Sequence, residues 1–182
     1  MLTVKLVAIS GSPRAGGNSE LLLNEVIRGA REAGAEVSKH VLARLDINPC
    51  IGCDACRDIT PECIFPDDFA DLSDELIAAD IWVLATPLYW WGASAQLKAF
   101  IDRWYGMPYS KMAGKRAAVV ITQGDNDLAE SNALVSMLGS AFAWLKMQLH
   151  PPLIVSASKK GDVLKNQVAL KQAFDLGKSL VN

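Results

Sequence analysis

The spacing of apolar positions changes several times along this chain of 182 residues. Val4 to Ile9 (VKLVAI) is a short β-branched run suited to a strand buried on both faces. From Ser19 to Gly34 the rhythm switches. Leu22, Val26, Ala30 and Ala33 recur at three- and four-residue steps, which places them on one helix face, and Gly34 marks the stop. Glu36 to Ala43 alternates as an edge strand does. Asp80 to Pro87 (DIWVLATP) predicts another buried strand, and Leu97, Phe100, Ile101 and Trp104 then trace a helical stripe. Lys115 to Gly124 predicts a fourth strand, Glu130 to Met147 a helix, Leu153 to Ser158 a last strand and Asp162 to Val181 a closing helix. Five strands alternating with helices predict an α/β fold, a doubly wound parallel sheet covered on both faces. With no repeat or linker, residues 1–182 read as one domain. The exception to the alternation is a loop at 45–67, which carries Pro49, Pro61, Pro66 and all four cysteines.

Composition narrows the function classes. A formal net charge of −2, spread along the sequence, provides no basic footprint, so neither nucleic acid nor an anionic membrane is an expected partner. The N-terminal MLTVKLVAIS has too short an apolar run for a secretory leader, and no stretch is long enough for a membrane span. The expectation is a cytoplasmic protein, where clustered cysteines mean metal or redox chemistry rather than structural disulfides.

Between the first strand and the first helix lies SGSPRAGGNSE, Ser10 to Glu20. A strand feeding a helix through such a turn leaves unpaired amides at the positive end of the helix dipole, which is a phosphate site. Gly11, Gly16 and Gly17 allow the backbone to curl, while Ser10, Ser12, Asn18 and Ser19 offer short donors. There is no Lys-Ser/Thr ending of a nucleoside triphosphate loop and no clean G-x-G-x-x-G, which leaves a mononucleotide phosphate. The plainer alternative is a simple turn in which Asn18 or Ser19 caps the helix. After the third strand, Thr86 to Ser94 (TPLYWWGAS) sets Tyr89, Trp90 and Trp91 at the same sheet edge, as a stacking wall for a flat ring or, alternatively, as core or contact residues. Thr122 to Asp127 (TQGDND) adds a third polar loop.

SGSPRAGGNSE, PLYWWGASAQLKAFIDR and TQGD, in this order, resemble the NADPH-dependent FMN reductase family of the flavodoxin-like superfamily. The resemblance implies bound FMN, NAD(P)H as electron donor, strand order 2-1-3-4-5, and a homodimer or homotetramer with each flavin near a neighbouring subunit. It implies that Ser10, Ser12, Asn18 and Ser19 hold the phosphate, with Gly17 in the turn and Arg14 at a position that is often basic in the family. Pro87, Leu88, Tyr89, Trp90, Trp91 and Gly92 then line the ring, and Thr122, Gln123 and Gly124 close the pocket. On the resemblance alone, Asp102 and Arg103 are candidates for a bridge between subunits. No side chain is assigned a catalytic role, because the flavin carries the chemistry.

The cysteine loop reads C-x2-C-x2-C-x6-C: Cys50, Cys53, Cys56 and Cys63. Ligands at every third residue suit one [4Fe–4S] cluster, and the pattern resembles the iron-sulfur flavoproteins within the same family. Structural zinc, a disulfide, redox-active thiols and an unmetallated loop are the alternatives. The expected function is an FMN-dependent oxidoreductase passing electrons from a reduced nicotinamide or a protein donor to a small acceptor, and its rival is a non-enzymatic electron carrier. His40 and His150 are expected at the surface or in packing roles, and Asp67 and Asp68 at the start of a helix.

Overall fold

A computed structural model describes residues 3–58 and 62–182; Pro61 of the cysteine loop lies outside the described residues. In chain order the elements are β1 (Lys5–Ser10), α1 (Asn18–Glu32), β2 (Glu36–Val41), α2 (Ala55–Asp58), α3 (Phe69–Ala78), β3 (Ile81–Pro87), α4 (Ala95–Asp102), β4 (Arg116–Gln123), α5 (Asn132–Trp144), β5 (Gln148–Leu149), β6 (Leu153–Ser156) and α6 (Gln167–Val181). The strands lie in the order β2-β1-β3-β4-β5, all parallel, with β6 also beside β4. This is the expected 2-1-3-4-5 order with the fifth position made in two pieces. β5 pairs with Arg116 and Ala117, and β6 with Val120 to Gln123. Between them His150 still donates its amide to Ala117 (2.8 Å), but Pro151 and Pro152 have no N–H to give.

Alternation along the buried strands sorts side chains onto the two faces. Val7 and Ile9 face a core built with Leu72 and Leu76 of α3, Leu97 and Phe100 of α4, and Leu138 and Phe142 of α5. Leu6 and Ala8 face the opposite core, with Leu22 and Val26 of α1 and Ala173 and Leu180 of α6. Each fully buried large apolar side chain contributes about 1.5–3 kcal/mol of transfer free energy. Helices α1 and α6 approach backbone to backbone. A Cβ placed on Gly29 would lie 2.0 Å from the Phe174 carbonyl oxygen, and one on Gly177 would lie 2.0 Å from that of Val26. Reciprocal glycines therefore set the helix spacing.

Two sequence expectations shift at element ends. The stripe that ends at Trp104 leaves α-helical geometry after Asp102 and tightens into a 3-10 turn, Arg103–Gly106. The helix expected to reach Met147 stops at Trp144, and the chain reverses through Lys146 at φ 57.

Candidate functional site

The carboxyl ends of β1, β3 and β4 meet the start of α1 at a cleft of about 220 Å³. Its floor is set by close contacts at the first turn. Gly11 continues the sheet by donating to Ala85 (2.8 Å), and a Cβ on it would sit 2.8 Å from that of Leu97. The Ser12 hydroxyl accepts from the Arg14 amide (3.2 Å), closing a local turn. Gly16 takes φ 64, and a Cβ on Gly17 would lie 2.8 Å from Ser12 Oγ. Glycine is thus required in this turn for backbone sign at one position and for space at the next.

Helix α1 starts at Gly17 with no side-chain cap, so its first-turn amides are left to the cleft. Glu20 does not fill that role. It reaches back to accept from the Gly16 amide (2.7 Å) and pairs with Lys39 (2.7 Å). Burial pushes the Glu20 carboxyl upward, but the Lys39 and Gly16 hydrogen bonds outweigh it and hold the group below its ordinary range. Among the described residues Arg14 and Lys160 line the cleft and no carboxylate does. Uncapped amides, two cations and small hydroxyls together have the chemistry that suits an anion.

The structure brings most of the sequence candidates to this cleft: Ser12, Arg14, Gly17, Asn18 and Ser19 from the first turn, Pro87, Leu88 and Tyr89 from the end of β3, and Thr122, Gln123 and Gly124 from the end of β4. Their side chains do different things. Ser19 and Thr122 share a hydroxyl hydrogen bond (2.7 Å) that ties two of the three loops. Asn18 spends its side chain on the loop after β6, donating to Ala157 and Lys159 (3.2 and 2.9 Å) and accepting from Gly161 and Val163 (3.0 and 3.4 Å). Gln123 likewise donates to Asp125 and Asp127 (3.1 and 2.7 Å) and accepts from Ser131. These two amides shape the cleft rather than offering free donors to it. Ser10 lies fully buried outside the lining, its Oγ without a partner among the described residues.

Trp90, Trp91 and Gly92 are also outside the lining. Tyr89 and Gly92 exchange both backbone hydrogen bonds at 3.0 Å, and the two residues between them, Trp90 (φ 49) and Trp91 (φ 57), both adopt left-handed backbone. Trp90 is 91 % exposed, while the Trp91 indole donates to Glu130. Sequence reasoning missed Ala157, Ser158 and Lys160, which come from the segment after β6. The available signal was SASKKG at the end of a predicted strand, since every parallel strand delivers its following loop to the same edge.

The cavity at the cysteine loop shares no lining residue with this cleft. Cys50, Cys53, Cys56 and Cys63 surround one small cavity of about 20 Å³, and all four thiols are free. Gly52 (φ 64) and Asp54 (φ 57) curl the chain between the first three, and the Gly52 amide donates to Cys50 Sγ (3.4 Å). A Cβ on Gly106 would sit 3.6 Å from the Cβ atoms of both Cys56 and Cys63. Burial raises the Cys56 thiol pKa, opposed by neighbouring Arg57. Among the described residues the side chains do not already form a converged metal-binding group.

Arg103 lies at the edge of this loop, 1 % exposed, and not at a surface where it would bridge subunits. Its guanidinium binds Asp67 through two nitrogens (2.7 and 3.0 Å) and the Asn48 carbonyl (2.8 Å). Asp67, expected only as a helix start, does accept from the Phe69 amide (3.2 Å), and it also accepts from the Asn48 amide (2.9 Å). Burial pushes the Asp67 carboxyl upward, but Arg103 and Asn48 outweigh it and hold the group below its usual range. Asp102, the other member of the expected bridge, pairs with Lys98 (2.7 Å).

A sequence model of the NADPH-dependent FMN reductase family matches residues 4–162. The chain belongs to that family. The chain is 40 % identical over 100 residues to the iron-sulfur flavoprotein MJ1083 of Methanocaldococcus jannaschii, covering 55 % of this chain and 51 % of that one. An iron-sulfur flavoprotein of Archaeoglobus fulgidus is 34 % identical over 136 residues, covering 73 % of this chain and 69 % of the relative. Against MJ1083 the chain spans about half of the relative's length. The fold is similar to that of the NAD(P)H:quinone oxidoreductase from Methanothermobacter marburgensis, with TM-score 0.77, 23 % identity, and coverage of 98 % of this chain and 96 % of the other. For this FMN reductase family member, no helix among the described residues is long and apolar enough to cross a membrane.

Proposed function

We propose that the protein is an FMN-dependent oxidoreductase that takes electrons from NAD(P)H and delivers them to a small acceptor. One observation carries this reading: the uncapped start of α1 opens onto a cleft bearing two cations and no carboxylate, at the ends of three adjacent parallel strands. The phosphate of FMN fits there. The α1 amides, the hydroxyls of Ser12 and Ser19, Arg14 and Lys160 hold it, while Pro87, Leu88 and Tyr89 flank the ring on one side and Thr122 to Gly124 on the other. Bound flavin supplies the two-electron chemistry, and the protein's part is to orient it and limit water access. Asn18 and Gln123 keep the walls in place through their loop hydrogen bonds. The aromatic tip at Tyr89 to Trp91 reaches beyond the cleft and supports assembly as a homodimer or homotetramer, because large exposed aromatics are favoured at contacts. Four free thiols accord with a reducing, cytoplasmic setting.

The cysteine loop is the second part of the reading. Four thiolate donors at compact spacing, an amide aimed at Cys50 sulfur and glycine-made space beside Cys56 and Cys63 suit a [4Fe–4S] cluster, which would add single-electron transfer. Its ligands would be Cys50, Cys53, Cys56 and Cys63. Two measurements test the proposal. Anaerobic protein should contain FMN, iron and acid-labile sulfide in fixed ratios per chain, and flavin without iron would remove the cluster alone. Stopped-flow mixing of flavin-loaded protein with NADPH should bleach the flavin band; an unreactive flavin would reassign the protein as an electron carrier.

A further inference from the structure

Arg103 is almost completely buried, which for arginine requires a partner and a reason. The partner is Asp67, whose side chain is 2 % exposed. The geometry reveals the reason. Through one nitrogen Arg103 holds the carbonyl of Asn48, two residues before Cys50, and through both it holds Asp67, four residues after Cys63. Asp67 closes the same circuit by accepting from the Asn48 amide at 2.9 Å and its side chain at 3.3 Å. The two ends of the cysteine loop are therefore fastened to each other through this guanidinium, beside a second tie in which the Asp46 and Asp68 amides donate to the Asp68 carboxylate and the Asp46 carbonyl (2.7 and 3.0 Å). The rings of Phe65 and Phe69 lie 5.0 and 4.7 Å from that group.

The remaining nitrogen, Nε, is buried and has no hydrogen-bond partner among the described residues. Cys63 and Arg103 both line the small cavity that the four cysteines share. They also both line the larger cavity on the other side, so the cation and the sulfur are neighbours in one wall. An arginine guanidinium keeps its charge in proteins.

We infer that Arg103 is the positioning residue of the cysteine loop: with Asp67 it clasps the loop's two ends, and its charge beside Cys63 helps the loop retain its thiolate-bound iron centre. This inference rests on the cluster reading above and goes beyond it by naming what holds the site together. A second basic residue of the loop, Arg57, lies between the rings of Tyr105 and Tyr109 at 4.5 and 4.3 Å, so it anchors the middle of the loop and leaves the ends to Arg103.

The test compares wild-type protein, Arg103→Lys and the double variant Arg103→Met with Asp67→Leu, which removes both charges while filling the space. All three are reconstituted anaerobically with iron and sulfide and assayed for flavin, iron and midpoint potential. Flavin content reports folding, because Arg103 and Asp67 lie outside the cleft. The expected result is unchanged flavin in every protein, with iron per chain down at least fivefold in the double variant. Any cluster it retains should have a more negative potential, since a nearby cation favours the reduced, more anionic state. Arg103→Lys should keep the potential but hold several-fold less iron, because one ammonium cannot span Asn48 and Asp67 as the guanidinium does. A folded double variant with full iron and unchanged potential would overturn the inference. Should the double variant lose its flavin, Arg103→Lys decides, and iron content equal to wild type would overturn the clasp. Wild-type protein that takes up no iron would refute the cluster reading itself, and this inference with it.

Discussion

Trp90 and Trp91 occupy the two central positions of a tight turn where both backbones are left-handed, a geometry that normally selects Asn-Gly. Each non-glycine residue held there costs about 1–2 kcal/mol. The indole bond from Trp91 to Glu130 offsets part of that cost, while Trp90 projects into solvent. Strain of this kind persists where side-chain identity serves something other than folding. Replacing the pair (Trp90→Asn with Trp91→Gly) should therefore stabilise the apo protein against urea by about 1–2 kcal/mol, while weakening self-association in analytical ultracentrifugation. Improved stability with unaltered self-association would show that the tryptophans have no part in assembly.

At the scale of elements, the crossing of α1 and α6 helps set where the start of α1, proposed above to hold phosphate, points. Gly29 and Gly177 make that crossing possible, since a Cβ on either would collide with a backbone carbonyl at 2.0 Å. Neither carbonyl is the end of a flexible side chain, so a helix must shift. Gly29→Ala should cost roughly 1–3 kcal/mol or more, read as a lower midpoint in thermal or urea unfolding, despite alanine's better helix propensity. Most of this framework was legible in the sequence, because buried parallel strands are continuous apolar runs and amphipathic helices show their period. The run ending at Ile9 and the stripe through Leu22, Val26 and Ala30 are cases of each. Long-range pairings were not legible. Asp67 looked like a helix start and Arg103 like one half of a bridge between subunits, and only the fold brings residues 36 positions apart into one buried pair. Asn18 carried the right chemistry for a phosphate donor, but its four hydrogen bonds go to residues at least 139 positions away. Lys160 was overlooked because its strand was recognised while the destination of the following loop was not used.

For the molecule as a whole, acid stability should follow the two carboxyls held below their ordinary range, Glu20 and Asp67. A depressed folded-state value adds stability that is complete above the unfolded carboxyl range and is lost as pH falls through the folded value. Asp67→Asn leaves Arg103 buried without its counter-charge, which should cost about 3–5 kcal/mol near neutrality. In urea melts the gap to wild type should be full above about pH 5 and narrow steadily below about pH 4. A gap of the same size at both pH values would mean that the pair's ionisation contributes nothing. The molecule's −2 net charge does not oppose FMN binding, since local charge at the cleft mouth is positive through Arg14 and Lys160.

The break between β5 and β6 affects how these molecules meet one another. An outer strand with a full row of amide donors invites a strand from another chain to dock alongside and extend the sheet. Here that rim gives a visitor only a two-residue foothold, then two imino acids with nothing to donate, then four more residues. Edge-on stacking into fibrils is blunted on this side by Pro151 and Pro152.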